Sequence, residues 1–156
     1  MVTTAINSRR KVTLVDTSTV SKMIPPVIPP APIPSTVWPS ISVIAAHAVT
    51  AGQPMYVTPV GTMAQAGVNV APSIGVVITS AGDGEMSAYI PEGSISRGDW
   101  SLITGFNDLI PGLNYFLAEQ GRLTHITPTT GLLQKIGMAV SRSMLDVKIQ
   151  TAIQLA

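Results

Sequence analysis

Sixty consecutive residues, from Met23 to Gly82, contain no Asp, Glu, Lys or Arg. A stretch of this kind crosses a membrane, fills a core or lies under a partner. Ten prolines interrupt it, and Ser, Thr, Gln and Asn recur along it. No window offers the ~20 consecutive apolar residues of a spanning helix, so no membrane partner is expected. The whole chain is poor in charge: 11% of its 156 residues, against ~25% in ordinary soluble domains. A monomer with so few charges would be poorly solvated, so other subunits are expected to cover much of its surface. An apolar content of 46% is enough for a core, and the length suits one domain, or a small domain with an extended arm.

The charges that remain are segregated. Residues 1–22 hold Arg9, Arg10, Lys11 and Lys22 against Asp16, while the region from Asp83 onward is slightly acidic. Overall, nine basic against eight acidic side chains leave +1, so no global field draws nucleic acid. Arg9-Arg10-Lys11 is too short for a specific nucleic-acid patch and reads as a contact for an acidic neighbour or DNA backbone, or as a solvated tail end. The first residues precede this cluster and lack an apolar h-region, so no secretory signal is expected. The absence of cysteine excludes disulfides, thiolate metal sites and a cysteine nucleophile.

Seven of the thirteen prolines fall between Pro25 and Pro39. Proline fixes φ, removes a donor and biases the preceding residue to extended geometry, so residues 1–40 are expected to form an extended arm. A short strand is possible around Lys11–Val15. The non-proline positions of the strip are apolar where a solvated linker would carry Ser, Glu or Lys. Ile24, Val27, Ile28, Ile33 and Trp38 are therefore the candidate contact residues for a neighbouring subunit. The other reading is a linker packed on its own domain.

Residues 41–156 read as a β-rich body. Short apolar runs are bounded by turn signals every ~8–12 residues, the pattern of an all-β sandwich or barrel. Candidate strands are 42–49, 55–58, 62–65, 74–79, 85–90, 100–104, 114–118, 122–127, 132–141 and 144–150. Two passages are alike: Gly52-Gln53-Pro54-Met55-Tyr56-Val57 with Gly61, and Gly112-Leu113-Asn114-Tyr115-Phe116-Leu117 with Gly121. The matching glycines stand sixty positions apart, and Ile74-Gly75 has a counterpart in Ile136-Gly137. An internal repeat and chance likeness of turn-rich strands both fit this pattern.

No catalytic, metal or cofactor constellation emerges. His47 and His125 are the only histidines, lack companion ligands at metal spacing and read as structural. No Gly-x-Ser-x-Gly elbow occurs, and Asp83-Gly84-Glu85 reads as a turn. Arg97-Gly98-Asp99 is the integrin-type tripeptide, read first as a polar turn with receptor adhesion as a minor alternative. The chain is not expected to be an enzyme.

The runs Val49–Val57, Ser73–Val77, Pro111–Leu117, Gly121–Thr124, Ile136–Ser141 and Leu145–Ile149 resemble the small decoration (cement) and head-fibre proteins of tailed bacteriophages. The resemblance covers about residues 42–153 and leaves the arm outside it. It implies an all-β virion protein on the capsid exterior, often a homotrimer, whose partners are the major capsid protein and copies of itself. Similar strand phrases occur in phage tail-fibre domains, so the alternative is a tail-fibre or spike domain that binds a host receptor.

Overall fold

The computed structural model describes residues 39–156. The expected arm strand and the contact residues Ile24, Val27, Ile28, Ile33 and Trp38 lie outside the described residues. Where the chain is described it is nearly all β, as the spacing of turns and apolar runs predicts. Among the described residues twelve strands, one α-helical turn and a 3-10 turn at Glu119–Gly121 occur: β1 Ile41–Ile44, β2 Pro54–Val57, β3 Met63–Gln65, β4 Gly75–Thr79, β5 Met86–Ile90, β6 Glu92–Ser96, α1 Ser101–Thr104, β7 Asn114–Leu117, β8 Leu123–Thr124, β9 Leu132–Leu133, β10 Lys135–Ala139, β11 Met144–Lys148 and β12 Ile153–Gln154.

The strands form two five-stranded antiparallel sheets, ordered β1-β5-β4-β2-β3 and β6-β11-β10-β7-β8, plus the small pair β12-β9. The two orders are the same order. If β1 corresponds to β6, then β5, β4, β2 and β3 correspond to β11, β10, β7 and β8. Registers agree as well. Met55 lies opposite Gly75, and Tyr115 opposite Gly137. Val57 faces Met63 as Leu117 faces Leu123, and Val77 faces Tyr89 as Ala139 faces Leu145. The turns match in detail: Gly52 N–H donates to the Val77 carbonyl at 2.7 Å, and Gly112 N–H to the Ala139 carbonyl at 2.7 Å. Of the two readings of the repeated glycines, the body is therefore an internal structural duplication.

Packing follows the same correspondence. Val49, Met55, Met63, Val77 and Tyr89 form the core of the first half, and their counterparts Leu109, Tyr115, Leu123, Ala139 and Leu145 belong to the core of the second. In the first half the end of β1 reaches β3 through an Ala45–Met63 bridge, with Ala46 N–H on the Met63 carbonyl at 2.8 Å, and this closes a small barrel. In the second half a longer connection follows β6, and α1 packs against β8.

The halves are joined by apolar and polar contacts. Ala66, Val76 and Ile90 of the first half are buried within the second half's core cluster. Gln134, 3% exposed, clamps the first half: its Oε1 accepts from Ser73 N–H at 2.7 Å, and its Nε2 donates to the Ser73 carbonyl at 2.8 Å. A buried amide is tolerated there because both of its ends are satisfied. Gly121 N–H adds a 2.7 Å bond to the Ala66 carbonyl.

Four sequence expectations need correction. Residues 100–104 are a helical turn and not a strand. Asp99 Oδ1 accepts the Ser101 N–H at 2.8 Å at its start, and Gly105 at φ 87° closes it in the left-handed region; these local brackets outweigh the β-leaning composition. Glu92–Ser96, which falls in none of the candidate strands, is strand β6, with Gly93 and Ile95 buried and Glu92, Ser94 and Ser96 exposed. Pro91 alone links β5 to β6 as the chain passes between sheets. The run 42–49 breaks after Ile44, where Ala45, Ala46 and Ala48 lend little strand preference. The run 132–141 divides at Gln134, whose side chain turns to Ser73.

Candidate interaction surface

The body's functional features are surface features. Along β5, Ser87 and Tyr89 point into the first-half core while Met86 and Ala88 point outward. Met86 is opposite Ile44 in the β1–β5 register, and both are exposed, at 62% and 45%. Such a cross-strand apolar pair is packing material without a covering layer. Further exposed apolar side chains occur at Val60, Ile78, Leu102, Phe106, Ile126, Met138 and Val140. Scattered apolar residues are ordinary on protein surfaces, but neighbouring ones on a sheet face mark contact sites. Charge does little to offset them. Among the described residues the ion pair is Arg142–Asp108 at 3.9 Å, with both side chains largely in solvent, where such a pair contributes little.

Two shallow grooves accompany these patches. One, of about 300 Å³, runs between the halves and is lined by Ile78, Ile90, Ser94, Ile95 and Ser96. The other, of about 470 Å³, includes Val68, Leu117, Glu119, Ile126 and Pro128. Glu119 there accepts a 2.6 Å bond from Asn69 Nδ2, which ties its carboxylate across the two halves.

The residues singled out for chemistry are placed as follows. His47 is exposed in the bend after β1. His125, after β8, is half-buried, with the Tyr115 ring 6.0 Å away edge-on and the Phe106 ring at 6.3 Å. Asp83-Gly84-Glu85 is a turn, with Glu85 N–H on the Gly82 carbonyl at 3.1 Å and Glu85 Oε1 accepting from Gly82 N–H at 3.2 Å. No cluster of three metal-ligating side chains occurs among the described residues, and no helix there is long and apolar enough to cross a membrane.

Arg97-Gly98-Asp99 is engaged internally. The Arg97 guanidinium lies 5.9 Å from the Trp100 ring centre and donates to the Ala51 carbonyl of the first half. Its Nε donates to the Asp99 carbonyl at 2.8 Å. These contacts pin the 51–52 turn to the start of α1. Asp99 anchors the helical turn, and the bond from the Ser101 amide holds its carboxyl below the ordinary carboxylate range. A depressed pKa means that the bond contributes at neutral pH and is lost as pH falls through the folded-state value. Hydrogen exchange at the Ser101 amide should therefore be slowed at neutral pH, and Asp99→Ala should remove that protection while Asp99→Asn retains part of it.

Sequence reasoning placed the candidate contact residues in the arm and passed over the exposed apolar side chains of the body. A signal was present. In Arg122-Leu123-Thr124-His125-Ile126 the alternation sets Ile126 on the face of Arg122 and Thr124, where a polar side chain is expected. Comparison with known proteins adds no relative: no family model matches the chain, and no curated protein matches it.

Proposed function

We propose that the chain is a virion structural protein that binds the outer surface of a phage capsid and decorates or cements it, as a homotrimer. The observation that carries this reading is the apolar outer face of the duplicated β body, with Ile44 and Met86 paired on one sheet and Met138 and Val140 on the other. Such faces gain stability by being covered, at roughly 25 cal/mol per Å² of apolar area removed from water. The low charge of the chain and its resemblance to decoration and head-fibre proteins support the same reading.

In mechanism, body and arm bind together. Once one is seated, the other binds at high effective concentration, so modest contacts add to a durable one. Prolines in the arm lower the entropy lost on docking. The chain acts by bridging subunits and not by catalysis.

Immunogold labelling of particles tests the location. Label over the head is expected; label confined to the tail would replace this reading with the tail-fibre one. Deleting residues 1–40 should leave a folded β body that co-sediments with capsids weakly or not at all. Undiminished binding would show that the arm takes no part in docking.

A further inference from the structure

The two halves of the body meet through different surfaces. The first half offers a socket: the Ala51–Gly52 turn, the chain at Gln65 and Ala66, and the outer face at Val76. The second half offers Arg97, α1 and the protruding turn Glu119–Gly121. A contact between like bodies that uses a different patch on each is heterologous, and each body retains the patch that its twin has engaged.

The corresponding positions on the second half are open. Ala66 is 0% exposed and its counterpart Ile126 69%; Val76 is 0% exposed and its counterpart Met138 40%. Gln53, at 9%, corresponds to Leu113, at 39%. A Cβ on Gly52 would lie 3.1 Å from Arg97 Cδ, whereas one on Gly112 would meet nothing within 4 Å. Water should favour polar side chains at the uncovered positions. The sequence does the reverse: Ile stands for Ala, Met for Val and Leu for Gln.

The counterpart protrusion on the first half is equally free. Gly121 is crowded, since a Cβ there would sit 3.2 Å from Gln65 Cβ, while the space around Gly61 is empty. Val60, at the tip of that turn, is 85% exposed. Where the second half's tip reads Glu119-Gln120 and bonds Asn69, the first half's tip reads Pro59-Val60 and carries no charge. An apolar tip on one half thus matches exposed apolar side chains on the other.

We propose that a second copy of this chain docks head to tail, with its Pro59–Gly61 turn seated against the exposed apolar side chains of the second half: Leu113 before β7, Ile126 after β8 and Met138 on β10. The contact would repeat between chains one part of the join within a chain, the turn of one half against the other; among the described residues the first half has no counterpart of α1. Repetition of a heterologous contact closes a ring or runs on as a filament; three chains in a ring would set six similar halves around one axis. This deepens the self-association part of the proposed function and needs no capsid, so its failure and the failure of capsid binding are separate results.

The test uses the full chain with Val60→Asp and Ile126→Asp, both at exposed positions, with folding checked by circular dichroism. In sedimentation velocity at micromolar concentration the unaltered chain should sediment as three or more copies. Each variant alone should be a monomer, since one lacks the tip and the other its seat. An equimolar mixture should give a dimer of one each, because the intact tip of Ile126→Asp fits the intact seat of Val60→Asp, and growth stops there. A monomeric unaltered chain, a variant that still associates alone, or a mixture that stays monomeric or grows past the dimer would overturn the proposal.

Discussion

Gly137→Ala should cost about 3 kcal/mol or more, which is the upper end of overpacking effects because the obstacle is main chain. A Cβ at this position would overlap the Asp146 carbonyl oxygen and sit 3.1 Å from Val147 Cα, both on β11. β11 is held in full register by β6 on its other side, so it cannot retreat without breaking that ladder. The counterpart, Gly75→Ala, meets chiefly the Tyr89 ring, with one main-chain atom, the Ile90 carbonyl oxygen, at 3.0 Å. A cross-strand aromatic over a strand glycine is a known means of covering it, and a ring yields by rotation where a backbone does not. Its cost should be smaller, about 1–2 kcal/mol. Against a typical total of about 5–15 kcal/mol, the first change threatens folding and the second does not. Urea midpoints for the two variants check the order, and a Gly137→Ala midpoint equal to that of the unaltered chain would contradict it.

The same two glycines explain what was readable in advance. A strand glycine in Ile-Gly is conspicuous, and the sixty-residue spacing of the turn glycines raised the duplication without deciding it against chance likeness. Alternation in Leu145-Asp146-Val147-Lys148 fixed a strand and its inner face correctly. What failed to show were elements made by their surroundings. β12 is two residues long and exists because Leu132 and Leu133 pair with it. β6 begins at a Pro91-Glu92-Gly93 sequence with strong turn chemistry, which loses to the ladder offered by β11. α1 depends on one carboxylate contact at Asp99 and one left-handed glycine, and neither alters hydrophobic periodicity. The open positions were harder still. Periodicity puts Ile126 and Met138 on outer faces, but only the packing of the halves decides that Ala66 and Val76 are covered while their counterparts are not.

Trp100→Ala should lower stability by about 3–5 kcal/mol, as large-to-small changes of a buried aromatic do. Trp100 is 0% exposed and stands where three parts of the body converge. Its Nε1–H donates to the Ser143 carbonyl at 3.2 Å. Its ring carries the Arg97 guanidinium, which reaches the first half at Ala51, and it packs close to the Gly52 turn. Truncation would leave a cavity, remove one of the two donors to the Ser143 carbonyl, which keeps the Arg97 N–H at 2.8 Å, and take the ring from under the Arg97 guanidinium, so α1 and the 51–52 turn would loosen together. Trp100→Phe separates these effects. It keeps most of the apolar area and the face under Arg97 but loses the donor, at about 1 kcal/mol for one hydrogen bond. Amide exchange should then show the Gly52 N–H, bonded to the Val77 carbonyl, opening faster in Trp100→Ala but hardly changed in Trp100→Phe. If Trp100→Ala destabilised α1 alone and left the Gly52 amide protected, the tie between the halves would rest on Gln134 and Ser73, and the Arg97–Trp100 stack would be local to the second half.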